Sequence, residues 1–141
     1  MKKFKFNLEK ILQLRKFREE ECKIALGQAI SILNKIENEI KQTAVRRHAA
    51  ASQRFIDPAE ITTWELYIKR LDFQAQKLAE QAAQAEIVVE EKRALYLEAS
   101  RELKTMEKLK EKQQKSHRKE MFNHQMAEID DITSARTFQN Y

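Results

Sequence analysis

The chain has 141 residues but only one glycine, one proline and one cysteine. Each shortage excludes something. With Gly27 alone there is no phosphate-cradling glycine loop, because such loops need several backbone positions free of a Cβ. With so few turn formers, β-hairpins have nothing from which to build their connections. A lone Cys22 closes no disulfide within the chain and fits a reducing compartment. No apolar run approaches the roughly 18–20 residues a bilayer crossing needs. The N-terminal lysines precede no apolar signal core, and Glu9 sits early for a transit peptide. No nucleophile elbow or catalytic triad is legible, so neither catalysis nor a cofactor is expected.

What remains is charge and periodicity. Charged residues make up 35% of the chain and hydrophobic ones 42%, a balance typical of long helices. From Ile61, steps of three and four residues visit Trp64, Ile68, Leu71, Ala75, Leu78, Ala82, Ala85, Val89, Lys92, Tyr96, Ala99, Leu103 and Met106. Only Lys92 on that line is charged. A 3.5-residue repeat sustained this long predicts the narrow seam of a coiled coil. An earlier line runs Leu8, Leu12, Arg15, Glu19, Cys22, Leu26, Ala29, Leu33, Ile36, Ile40, Thr43, Arg47, Ala50 and Arg54.

Between the two lines lies the one credible break. Asp57 suits a helix cap, Pro58 a first helical position and Glu60 a capping box, while Ile56 and Ile61 have staple spacing. Phe6 and Ile11 have the same spacing at the first helix start. Folding the chain back at residue 57 sets Leu12 opposite Leu103, Leu26 opposite Val89 and Ala50 opposite Trp64. The polar interruptions Cys22 and Lys92 also meet. The expected fold is all-α: two long helices in an antiparallel coiled-coil hairpin, with the second overhanging at the open end. An intermolecular coiled coil is the alternative, since a one-heptad slip still buries apolar residues. The expected organisation is one hairpin over 1–141: a helix at about 8–54, a turn at about 55–58, a helix at about 58–132 and a frayed tail at 133–141.

Positive charge gathers at two sites far apart in sequence. Residues 1–18 hold seven basic residues and one acidic, and residues 101–120 hold eight and four. The hairpin brings the two together, predicting a rod basic at its open end and near neutral at its turn. Glu102, Glu107 and Glu111 interleave with the second cluster, and no aromatic residue is there to stack on bases. An acidic protein surface is therefore a better partner than nucleic acid. His117, Glu120 and His124 share a helical face, but their spacing matches no zinc pattern and no metal is expected.

The opening Phe4-Lys5-Phe6-Asn7-Leu8-Glu9, with Leu12, Arg15 and Glu19-Glu20, resembles the start of the FliJ family of flagellar export proteins. Trp64, Tyr67, Ile68 and Leu71 are similar to that family's second arm. Met106-Glu107-Lys108-Leu109-Lys110-Glu111-Lys112, then Glu120, Gln125 and Asp130-Asp131, look like its C-terminal signature. The resemblance implies a cytoplasmic, non-catalytic stalk of the type III export apparatus, touching the membrane only through partners. Those partners would be a FliI-like export ATPase, a FlhA-like export-gate protein and export chaperones, with no small-molecule substrate. It implies that the terminal end enters the ATPase ring while the turn end faces the gate. For the ring, the expected contacts are Lys2, Lys3, Lys5, Lys10 and Arg15 with Lys108, Lys110, Lys112, Lys115, Arg118 and Lys119. For the gate they are the outward stripe Tyr67, Arg70, Gln74, Lys77 and Gln81. A generic coiled-coil spacer or secretion-needle stalk is the alternative, followed by a basic nucleic-acid-binding helix pair.

Overall fold

Proline tolerates only the first turn of a helix, and Pro58 occupies that place at the point where the chain turns back. The computed structural model describes residues 3–55 and 57–139. Helix α1 spans Glu9–Ala51 and α2 spans Pro58–Gln139, and the described residues contain no strand. Cross-helix contacts arrange the two as an antiparallel hairpin.

The helix ends follow local chemistry. The Asp57 carboxylate accepts from the Ala59 N–H at 3.1 Å, and its carbonyl accepts from Glu60 N–H at 3.1 Å. One orphan donor of the first turn is thereby satisfied by a side chain. The staple expected of Ile56 lies outside the described residues. At its far end α1 stops at Ala51, short of residue 54. There Ser52 turns its hydroxyl onto the His48 carbonyl at 2.9 Å, and Gln53 N–H bonds three residues back to Ala50 at 3.2 Å, tightening the last turn. Helix α2 continues through Gln139 where a frayed tail was expected from 133. No glycine or proline follows Pro58, and the Thr133 and Thr137 hydroxyls donate to carbonyls one turn earlier.

The residues group into two compact units: Glu20–Glu98, and Met1–Glu19 with Ala99–Tyr141. Glu20–Glu98 is the turn unit. Its α2 residues withdrawn from solvent are Trp64, Ile68, Leu71, Ala75, Leu78, Ala82, Ala85, Val89, Lys92 and Tyr96, each of them a heptad position. On α1 the same holds for Cys22, Leu26, Ala29, Leu33, Ile36, Ile40, Thr43 and Ala50, with Ala25 beside them. Arg47 departs from the line: it is exposed and pairs with Asp72 at 2.6 Å, which keeps its charge in water. Leu71, Leu78 and Val89 are nearly fully buried, each contributing roughly 1.5–3 kcal/mol. Buried Thr43 satisfies its hydroxyl on the Glu39 carbonyl at 2.9 Å. Trp64 donates from Nε1 to the Ala50 carbonyl at 2.6 Å, as the fold-back about residue 57 requires.

The terminal unit is built differently. Leu12, Phe6 and Ala99 form its buried centre. Residues 3–6 are not helical, yet they stay with α2: Phe4 lies 5.6 Å from His117, ring to ring. The sequence places the end of the first arm opposite about residue 110 and leaves α2 unpartnered from Glu111. The structure extends that pairing to His117, and Gln113, Gln114 and Met121 are also half-buried. Non-helical chain can advance up to about 3.3 Å per residue against 1.5 Å in a helix, so the five steps from Glu9 to Phe4 span the seven from Lys110 to His117 on α2. Phe6 is buried on this account, while Ile11, its expected staple partner, is 41% exposed.

Candidate interaction surfaces

Sixteen basic and nine acidic residues fall in the terminal unit, against eleven and thirteen in the turn unit. All the residues expected to meet an ATPase ring lie in the terminal unit. Of these, Lys2 is outside the described residues. Lys3, Lys5 and Lys10 are exposed, as are Lys108, Lys112, Lys115, Arg118 and Lys119. The two ends of the sequence thus contribute exposed cations to one compact unit.

Three of the expected ring residues are engaged within the chain. Arg15 meets Glu102 at 2.6 Å and Lys110 meets Glu9 at 2.9 Å, all four side chains being partly covered. Lys115 reaches Glu111 one turn earlier at 3.2 Å. Hydrogen bonds from Lys110 and then Gln13 hold the Glu9 carboxyl below its ordinary value of 4.5. Arg15 and Lys110 therefore serve the hairpin first, and the exposed lysines carry the charge an outside partner would meet.

The stripe expected to face a gate, Tyr67, Arg70, Gln74, Lys77 and Gln81, is exposed along α2 in the turn unit. Two large apolar neighbours went unselected from sequence: Leu66 and Phe73, at 62% and 64% exposure. The Lys77 ammonium sits 5.6 Å from the Phe73 ring centre, a cation–π contact at a solvated site.

Sequence reasoning also missed a recess beside the turn, of about 440 Å³, lined by Gln53, Phe55, Ala59, Glu60, Thr63, Trp64 and Tyr67. Phe55 and Trp64 stand 5.6 Å apart at 60°, an edge-tilted pair. Trp64 packs as expected, but it also forms one wall of this opening. The signal available in the sequence was three aromatic residues within thirteen positions around the only proline.

His117 faces Phe4, and His124 Nδ1 lies 3.4 Å from Glu128. Among the described residues no three His, Cys, Asp or Glu side chains converge as a metal set. Nor is any helix in them long and apolar enough to cross a membrane.

A family model described as Flagellar FliJ protein matches residues 4–140. Comparison with curated proteins and with solved structures gives no match.

Proposed function

The chain belongs to the FliJ family, and from that premise we propose that it is the coiled-coil stalk of a flagellar type III export apparatus, binding and stimulating the export ATPase ring. Membership makes it a flagellar export-related coiled-coil protein. The finer reading is that it acts by contact and not by chemistry of its own, that it links the ring to the export gate, and that it escorts export chaperones. It works on the cytoplasmic side of the membrane export apparatus.

One observation supports this above the rest. The excess of cations sits in one unit, where exposed Lys3, Lys5 and Lys10 accompany Lys108, Lys112, Arg118 and Lys119. A ring lumen with acidic subunit surfaces attracts such a tip from several sides at once. Stimulation further requires that the tip bind one nucleotide state of a subunit better than another, since equal binding shifts nothing. The gate would take the Tyr67–Gln81 stripe.

The experiment is phosphate release by a FliI-type ATPase with and without the chain. Stimulation that disappears when Lys112, Arg118 and Lys119 are reversed to glutamate is the expected result. Absence of stimulation together with absence of co-elution with ring or gate would overturn the reading.

A further inference from the structure

Beyond Met121 every described side chain as far as Phe138 is exposed, although the segment is not polar throughout. Phe122, Met126 and Ile129 are 60%, 43% and 54% exposed. At about 100° per residue these three stay within roughly 60° of one another on the helix. The same rotation sets them on average about 140° from Lys110 and His117, which meet Glu9 and Phe4 of the N-terminal segment. The stripe is therefore no leftover of the hairpin seam. It points elsewhere, and among the described residues none covers it.

Charge along that face has an order. Arg118 and Lys119 precede the apolar stripe and Asp130 follows it on the same side, while Asp131 falls on the opposite side of the helix. All four are exposed. Of the other acids close by, Glu128 and Glu111 are met by His124 at 3.4 Å and Lys115 at 3.2 Å, and Glu120 lies about 150° round the helix from the stripe. Basic, apolar, acidic is a pattern that complements itself when reversed. A parallel neighbour of the same sequence would set Lys119 against Lys119 and Asp130 against Asp130. An antiparallel one sets opposite charges together at both ends.

We propose that this end of α2 is a self-complementary docking surface whose occupant is a second copy of the chain. The two copies lie antiparallel about an axis near residue 124. Phe122 of each packs on Met126 of the other, and Lys119 of each lies beside Asp130 of the other. Such an isologous contact makes every interaction twice. Lys119 and Asp130 occupy the same flank of the stripe, and same-flank positions are the ones that face each other in an antiparallel helix pair. The inference rests on the stripe and its charge order, independently of the proposed function. If both hold, self-pairing covers Arg118 and Lys119, and a second copy competes with the ATPase for this end.

Sedimentation velocity of the full chain over a range of concentrations tests it. The expected result is a mass rising from 16.7 kDa towards twice that value. The dissociation constant should be on the order of tens of micromolar, as befits a contact below the standard interface size. Met126→Arg should weaken pairing by at least about tenfold. Lys119→Glu and Asp130→Lys should each weaken it, by roughly two- to tenfold because each pair occurs twice, and the double variant should restore it. All three side chains are exposed, and an unchanged helical circular dichroism signal checks that each variant folds. A mass fixed at 16.7 kDa up to about 1 mM would overturn the proposal. So would pairing indifferent to Met126→Arg, or a double variant no better than the singles. If the chain stays monomeric and Met126→Arg abolishes ATPase binding, the occupant is the ATPase and the self-pairing reading fails.

Discussion

The same two helices build both units, yet the units are held together by different means. In the turn unit the contacts are periodic: an apolar or small side chain every three or four residues, buried against the opposing helix. The terminal unit has a helix on one side and, beyond Leu8, a non-helical strap on the other, secured by single residues and by ion pairs. Periodic burial spreads stability over many positions. A strap concentrates it on a few.

The sharpest way to break this contrast is to remove one buried leucine from each unit. Leu12 is 1% exposed in the terminal unit and Leu78 is 5% exposed in the turn unit. Truncation of either to alanine should cost about 2–4 kcal/mol. The two should differ in where the loss appears. Leu12→Ala is expected to release amides over residues 8–19 and 99–117 while those around Leu71 and Val89 stay protected in hydrogen exchange. Leu78→Ala should loosen the turn unit. Equal loosening of both units by both variants would show a single cooperative body and would end the comparison.

A smaller effect is expected at the turn. Trp64→Phe keeps most of the ring contact with Phe55 but removes the donor 2.6 Å from the Ala50 carbonyl. A loss of about 1 kcal/mol in urea unfolding is expected, larger if the freed carbonyl stays shielded from water. Gly27→Ala goes the other way. A Cβ built there meets nothing within 4 Å, and the residue sits inside α1 in the turn unit. Alanine should therefore stabilise by about 0.8–1 kcal/mol, seen as a higher urea midpoint at unchanged slope.

The same contrast governs what was legible in advance. Each α2 residue withdrawn from water between Trp64 and Ala99 belongs to the heptad line, because a buried helical seam imposes its period on the sequence. The turn was legible too, since Asp57 and Pro58 are local chemistry. The strap was not read, although its signal is present: Phe4, Phe6 and Leu8 are covered while Lys3, Lys5 and Asn7 are exposed. That alternation has a period of two, the mark of extended chain, but six residues are too few to stand against the helical reading that follows them. Ile11 was assigned to a staple from spacing alone, and its neighbour Leu12 took the buried place. The surface residues are another matter. Exposed lysines look alike in sequence, and only their ion pairs separate Arg15 and Lys110, which brace the hairpin, from Lys112 and Lys119, which face water.

The slightest expected effect bears on the strap and depends on pH. Glu9 opens α1, accepts from Lys110 at 2.9 Å and from Gln13 at 3.0 Å, and is held below its ordinary value of 4.5 by those bonds. Both bonds favour the ionised carboxylate, so the folded terminal unit releases this proton more readily than the unfolded chain does. The resulting stability is fully present above about 4.5 and is lost as pH falls through the lower, folded value. Two backbone bonds at the same place report it: Glu9 N–H to the Phe6 carbonyl at 3.1 Å and Leu12 N–H to the Leu8 carbonyl at 2.9 Å. Their exchange protection, corrected for the intrinsic pH dependence, should fall in acid while amides near Leu78 hold theirs. Glu9→Gln should bring the acid level of protection to neutral pH and flatten the acid response of those two amides. If Glu9→Gln leaves that response intact, the strap is not fastened by this ion pair, and its hold on α2 must rest on Phe4 and Phe6.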